Sequence, residues 1–315
     1  MNNKMNYRQF KIELTNEIKK HFSQCEILEQ KTFKNNIELD TLTVKEKTKD
    51  IAPNIYVNYI YDDYIDNDYT FNDIILKTMH CVENAQNNAP DIKTSIIYDS
   101  LNDINTLKAN VCPRLVKQEG NEELLQHLVH RKFLDLAIYY VVQEEDASQL
   151  GLTSVRITND IINGFNIKGI ELTEDLLYTW SINNLERTDN QVISMINTMQ
   201  CMMFDFDMND YVDEYSEEDD MLVLSNNNRI NGANNILNNS KLKEVATKIN
   251  SDLIILPSSI HEILLLPTNN NTEMGIDDLK GMVMSVNSDK VEPEEQLSDT
   301  VYIYRKDLDK VLIAE

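Results

Sequence analysis

Ser258, Ser259, His261 and Glu262 are the residues whose types could do chemistry, gathered in one run, ILPSSIHEILLLP, at 255–267. A serine activated by a histidine is the working pair of a hydrolase, and a neighbouring carboxylate completes the usual set. These four are therefore the candidate catalytic residues. The standard motifs around them are absent. A zincin needs HExxH on a helix, and the place of the second histidine is taken by Leu265. A nucleophile elbow needs glycines flanking the serine, and none is near. If 260–266 is a strand, His261 shares a face with Ile263 and Leu265 while Glu262 points the other way. The two then cannot serve one triad unless the strand starts later. A Ser–His dyad across the turn stays open. So does a hairpin corner in which hydroxyls close the turn and His261 ties down a loop.

Other polar groups stand in apolar surroundings. In the extended run FLDLAIYYVV, Phe133, Asp135, Ala137 and Tyr139 share a face, so the carboxylate must find a partner. Arg114, in the preceding strand VCPRLVK, is the expected one, whether as a structural ion pair or beside a catalytic acid. His127 and His130 would share a face of the helix NEELLQHLVH, as metal ligands sometimes do. Glu122 and Glu123 at its start and His130, Arg131 and Lys132 at its end suit the helix dipole, which explains them without a metal, so none is assigned. The run DFDMNDYVDEYSEEDD at 205–220 holds nine acids and no base. Asp205, Asp207, Asn209 and Asp213 match calcium-loop positions, but Asp210 replaces the glycine and Ser216 the closing glutamate. It reads as a solvated linker or loop.

Composition removes whole classes of function. The chain has 315 residues, 42% of them hydrophobic, enough for a sizeable core. With 29 basic against 53 acidic residues it carries a net charge of −24 and no basic stripe, so direct binding to nucleic acid is not expected. Only seven glycines are present, without GxGxxG or GxxxxGK[ST], so no nucleotide-type cofactor is expected. Cys25, Cys81, Cys112 and Cys201 form no CxxC pair and read as reduced thiols of a cytoplasmic protein. No apolar run reaches about 18 residues, so no membrane association is expected.

The elements that must position these residues read as α+β, mainly antiparallel sheets with packed helices in recurring strand–strand–helix units. We expect an N-terminal module at 1–92, a central one at 93–204, the acidic segment at 205–220, and a C-terminal module at 221–315 packed on the central one.

The segments PRLVKQEGNEELLQHLVHRKFLDLAIYY, LSNNNRINGANNIL, DLIILPSSIHEILLLP and MVMSVNSDKVEPEEQLSDTVYIYRKD resemble a family of Firmicutes proteins, clostridial and Lachnospiraceae, classed as a domain of unknown function. The resemblance covers nearly the whole chain and implies a shared pattern on Arg114, His130, Asp135, Asn226, Gly232, Pro257, Ser258, Ser259, His261, Glu262, Asn287 and Ser298. Arg114, His130, Asp135, Asn226 and Asn287 are the candidate binding residues. It implies no activity. The leading expectation is a non-enzymatic binding or regulatory protein with a protein partner. The alternatives are a hydrolase built on the Ser/His run and an acidic DNA mimic that occupies a nucleic-acid-binding protein.

Overall fold

The computed structural model describes residues 4–49, 51–88, 95–146, 151–204, 206–257, 259–269 and 275–315, and the chain forms two compact units, Met1–Ser95 and Ile96–Glu315. It is an α+β protein in which every strand pairing among the described residues is antiparallel.

The first unit runs α1 (Tyr7–His21), β1 (Glu26–Lys34), β2 (Ile37–Lys45), β3 (Asn54–Tyr56), α2 (Val57–Asp66) and α3 (Phe71–Asn87). Phe10, Leu14 and Ile18 recur at helical spacing on α1 and are fully buried. Asn36, in the left-handed region at φ 60°, turns β1 into β2. Thr70 and Asp73 form a reciprocal capping box that starts α3.

The second unit holds the candidate site residues. It runs α4 (Ile96–Asn102), α5 (Ile104–Asn110), β4 (Val111–Lys117), α6 (Glu122–Leu125), β5 (His130–Phe133), β6 (Leu136–Asp146), β7 (Gly151–Arg156), α7 (Asn159–Ile167), α8 (Glu174–Arg187), β8 (Asn190–Ser194) and α9 (Met195–Phe204). It continues through β9 (Leu222–Asn226), α10 (Asn239–Lys248), β10 (Leu253–Leu256), β11 (Ile263–Pro267), α11 (Ile276–Lys290), β12 (Tyr302–Arg305) and β13 (Lys310–Ile313). One sheet has β6 between β4 on one side and β5 and β7 on the other. The second sheet has the order β13-β12-β10-β11-β9-β8. One of its faces, with Leu253, Ile255, Ile263 and Leu265, joins the main core, and Ile254, Leu256 and Leu266 on the other pack with Leu279 and Val283 of α11. Both faces of β10 and β11 are covered, which is why the apolar residues there run on without alternating.

Three expectations change. FLDLAIYYVV is not one strand: β5 and β6 are joined by a turn at Leu134–Asp135, with Leu134 at φ +56°. The helix begun at Glu122 stops at Leu125, because Val129 N–H donates to Ile157 O (3.1 Å) and Asn159 N–H to His127 O (3.3 Å). Backbone pairing with the chain entering α7 outweighs local helix propensity, and His130 starts a strand. The acidic segment is a largely exposed loop, as read, but not a linker between units: Asp213 N–H donates to Val192 O of β8 (2.8 Å), and Tyr215 is buried in the main core.

Candidate functional site

The connection from β10 to β11 carries Pro257, Ser259, His261 and Glu262, and Ser258 lies outside the described residues. The Ser259 hydroxyl oxygen accepts the backbone N–H of His261 at 2.9 Å. His261 Nδ1 accepts the backbone N–H of Asn231 at 3.3 Å, and its Nε2 faces Glu295 Oε1 at 3.3 Å. Those contacts assign the ring proton to Nε2 and use the one lone pair that a general base would need. The histidine's carbonyl accepts the Ser225 hydroxyl at 2.7 Å. Burial pushes the Glu262 carboxyl above its ordinary value, opposed by His261, a hydrogen bond from Ser259, and Arg229.

This corner is stitched to two neighbouring segments. Ala233 N–H donates to Ile260 O (3.2 Å), and Ile260 N–H to Glu295 O (2.8 Å). Gly232 approaches so closely that a β-carbon there would lie 2.1 Å from Ser225 Oγ and 2.4 Å from His261 O. Asn226 closes its own loop, donating to Ile230 O (2.8 Å) and accepting Ile230 N–H (3.2 Å). Ser298 N–H donates to Pro257 O (3.3 Å), and Asn287 Nδ2 donates to Ser298 O (3.3 Å) and to Asp299 Oδ1 (2.7 Å).

Asp135 joins the same network from the other sheet. Its carboxylate accepts hydroxyls from Tyr302 (2.6 Å), Thr300 (2.8 Å) and Ser298 (3.0 Å). Burial, followed by the charge of Asp135, pushes the Tyr302 phenol far above its ordinary value and keeps it a donor. The expected Arg114–Asp135 pair does not form. Arg114, buried on β4, donates to Pro113 O (3.1 Å) and to Gln143 Oε1, and among the described residues no carboxylate pairs with it. The turn carries Asp135 toward β12, away from the sheet face that Arg114 occupies beside Tyr139. His130 is exposed and bonds Leu128 O at 2.9 Å. Most of the candidate residues therefore converge on one hydrogen-bonded corner, and Arg114 and His130 stand apart from it. Among the described residues, no group of His, Cys, Asp and Glu could hold a metal ion. A polar cavity of about 600 Å³ opens at the start of β8, lined by residues such as Asp189, Asn190, Asn238 and Lys241, and none of the described residues of 257–262 lines it.

A second feature sits on α9, in a segment where the sequence reading placed no element. Ser194 caps it, accepting Asn197 N–H at 3.2 Å, and Thr198 Oγ1 donates back to Ser194 O at 3.0 Å. The inward side holds Thr198 and Cys201, both buried. The outward side holds Ile196, Met199, Met202, Met203 and Phe204, continued by Phe206, all 52–72% exposed. The amphipathicity is inverted: small residues face the protein and large apolar ones face water. Burying each such side chain would contribute about 1.5–3 kcal/mol, which the fold forgoes here. Isolated exposed apolar residues are ordinary, but a contiguous patch marks an interaction surface. The acidic segment borders it, with Asn197 Nδ2 donating to Glu214 O (3.5 Å) and Asp210, Glu214, Glu218 and Asp220 exposed.

The model of the family of unknown function DUF5688 matches residues 7–306. The chain belongs to that family. No curated protein and no solved structure matches it. In this DUF5688 chain Asp135, Asn226, Gly232, Pro257, Ser259, His261, Asn287 and Ser298, all marked by resemblance, lie in the stitched corner. Reasoning from the sequence missed Ser225, Asn231, Glu295, Thr300 and Tyr302, whose roles come from long-range contacts. It also missed α9, although MINTMQCMMF places Ile196, Met199 and Met203 at helical spacing with threonine and cysteine opposite.

Proposed function

We propose that this DUF5688 protein is a non-enzymatic binding protein of the cytosol, which docks a segment of another protein on the outward face of α9. The inverted amphipathicity of that helix carries the reading. Methionines are flexible and polarisable and suit a surface that adapts to a ligand's apolar ridge. The geometry of Ser259 and His261 supports the same reading, since the Ser259 hydroxyl oxygen accepts a backbone N–H and the lone pair of His261 Nδ1 accepts another. Asp135, Ser298 and Asn287 are then structural, fixing the corner that joins the two sheets of the second unit.

The hydrolase alternative is tested by labelling the purified protein with a fluorophosphonate probe. No labelling is expected. Stoichiometric labelling lost in Ser258→Ala or Ser259→Ala, with the fold retained, overturns the reading.

A further inference from the structure

We infer that the occupant of the α9 face is a basic amphipathic helix of a partner protein. This rests on α9 being the docking face and adds the partner's charge and form. Ile196, Met199 and Met203 fall at the i, i+3, i+7 spacing of one helical stripe, with Met202 beside them. A stripe of that shape packs against the apolar ridge of a second helix, and flexible thioethers fill the gaps between unlike side chains. The flank decides the charge. Residues 206–220 contribute eight acids and no base, and Asp210, Glu214, Glu218 and Asp220 lie at the surface. The segment is held beside α9 by the Asn197 to Glu214 hydrogen bond, by Asp213 N–H on Val192 O, and by Lys248, which donates to Asp213 O (2.7 Å) and lies 3.7 Å from the Tyr215 ring centroid. An acidic segment with exposed carboxylates is thus tied beside an apolar helix. These carboxylates match a helix with an apolar ridge and lysine or arginine on its flank. The same charges oppose the rival occupants. Two copies would bring two acidic segments together, and an anionic lipid surface would be repelled by a chain of net charge −24.

The test uses the full chain and a fluorescein-labelled peptide of leucine and lysine, about 18 residues long and patterned as an amphipathic helix. Leucine–glutamine and leucine–glutamate peptides of the same pattern are the controls, and binding is read by anisotropy at low and high salt. The leucine–lysine peptide is expected to bind best and to weaken with salt. Met199→Glu/Met203→Glu is expected to weaken it about tenfold or more. Because that variant adds negative charge, such a loss reports the apolar stripe and not a general attraction for cations. Met199→Gln/Met203→Gln gives the same comparison without added charge, and circular dichroism checks the fold. Glu214→Gln/Glu218→Gln/Asp220→Asn is expected to cost about fivefold at low salt and to flatten the salt dependence. If the leucine–glutamine peptide binds equally well and with the same dependence on Met199 and Met203, the basic partner is wrong and the docking face stands. If no peptide's binding depends on α9, the docking face itself is wrong. A dimer dissolved by the methionine variants, or α9-dependent binding to vesicles containing phosphatidylglycerol, overturns the inference in favour of those occupants.

Discussion

Replacing Asp135 by alanine tests the account of the stitched corner. Three hydroxyls donate to this carboxylate, at 2.6, 2.8 and 3.0 Å. A hydrogen bond to a charged group contributes about 1.5–3 kcal/mol, and an orphaned buried donor costs about 1–3 kcal/mol. Tyr302 is fully buried and donates to this carboxylate, with the Ser298 and Thr300 hydroxyls also beside its own, so it bears a large share of the loss. Ser298 is less exposed to the change, because its hydroxyl oxygen still accepts Thr300 N–H at 3.0 Å. Asp135 also holds the turn in which Leu134 sits at φ +56°, a conformation that costs a leucine about 1–2 kcal/mol. Allowing for non-additivity, Asp135→Ala should destabilise the second unit by about 3–5 kcal/mol and Asp135→Asn by about half that. The assay is urea unfolding followed by fluorescence of Trp180, the single tryptophan, which packs against the second unit's core. Crossing Asp135→Asn with Tyr302→Phe should give a coupling of about 1–2 kcal/mol. If Asp135→Ala costs no more than the exposed control Asp220→Ala, the carboxylate is not a clamp and the reasoning fails.

Gly232→Ala should cost about 3 kcal/mol, since its β-carbon would meet the His261 carbonyl at 2.4 Å; a variant as stable as the wild type in the same urea assay contradicts the close approach. Glu262→Gln follows from the sign of its shift. Burial raises the carboxyl in the folded state, so the ionised form costs stability above that raised value, and stability recovers as pH falls toward the ordinary 4.5. The variant should therefore be more stable than the wild type at neutral pH, with the gain shrinking on acidification; a difference in melting temperature that grows instead sinks the assignment. Arg114→Met should leave stability within about 1 kcal/mol or raise it, because a buried guanidinium with no carboxylate partner among the described residues gives up little when replaced by an apolar side chain. A loss several times larger would reveal an ion pair at Arg114.

The elements that were legible are those whose signals are local. Thr70 and Thr173 cap α3 and α8, Asn36 turns β1 into β2, and the continuous apolar runs of β10 and β11 mark strands covered on both faces. The misread ones were decided by distant partners. Nothing near NEELLQHLVH announces that 127–129 will pair with 157–159, and nothing near Asp135 points to hydroxyls more than 160 residues away. Residue types drew attention to PSSIHE and to Asp135, but types alone could not separate a catalytic serine from one that closes a turn. The face of α9 was hidden differently. A helix that turns its apolar side outward has the same sequence pattern as one that turns it inward, and only the burial of Thr198 and Cys201 tells which way it faces.

The most direct test of where this protein acts is hydrogen–deuterium exchange with and without the leucine–lysine peptide. The account predicts that exchange slows in α9 and along 206–220 and is unchanged at 257–262. Slowing at 257–262, with α9 unaffected, would contradict it and return the functional site to the serine–histidine corner.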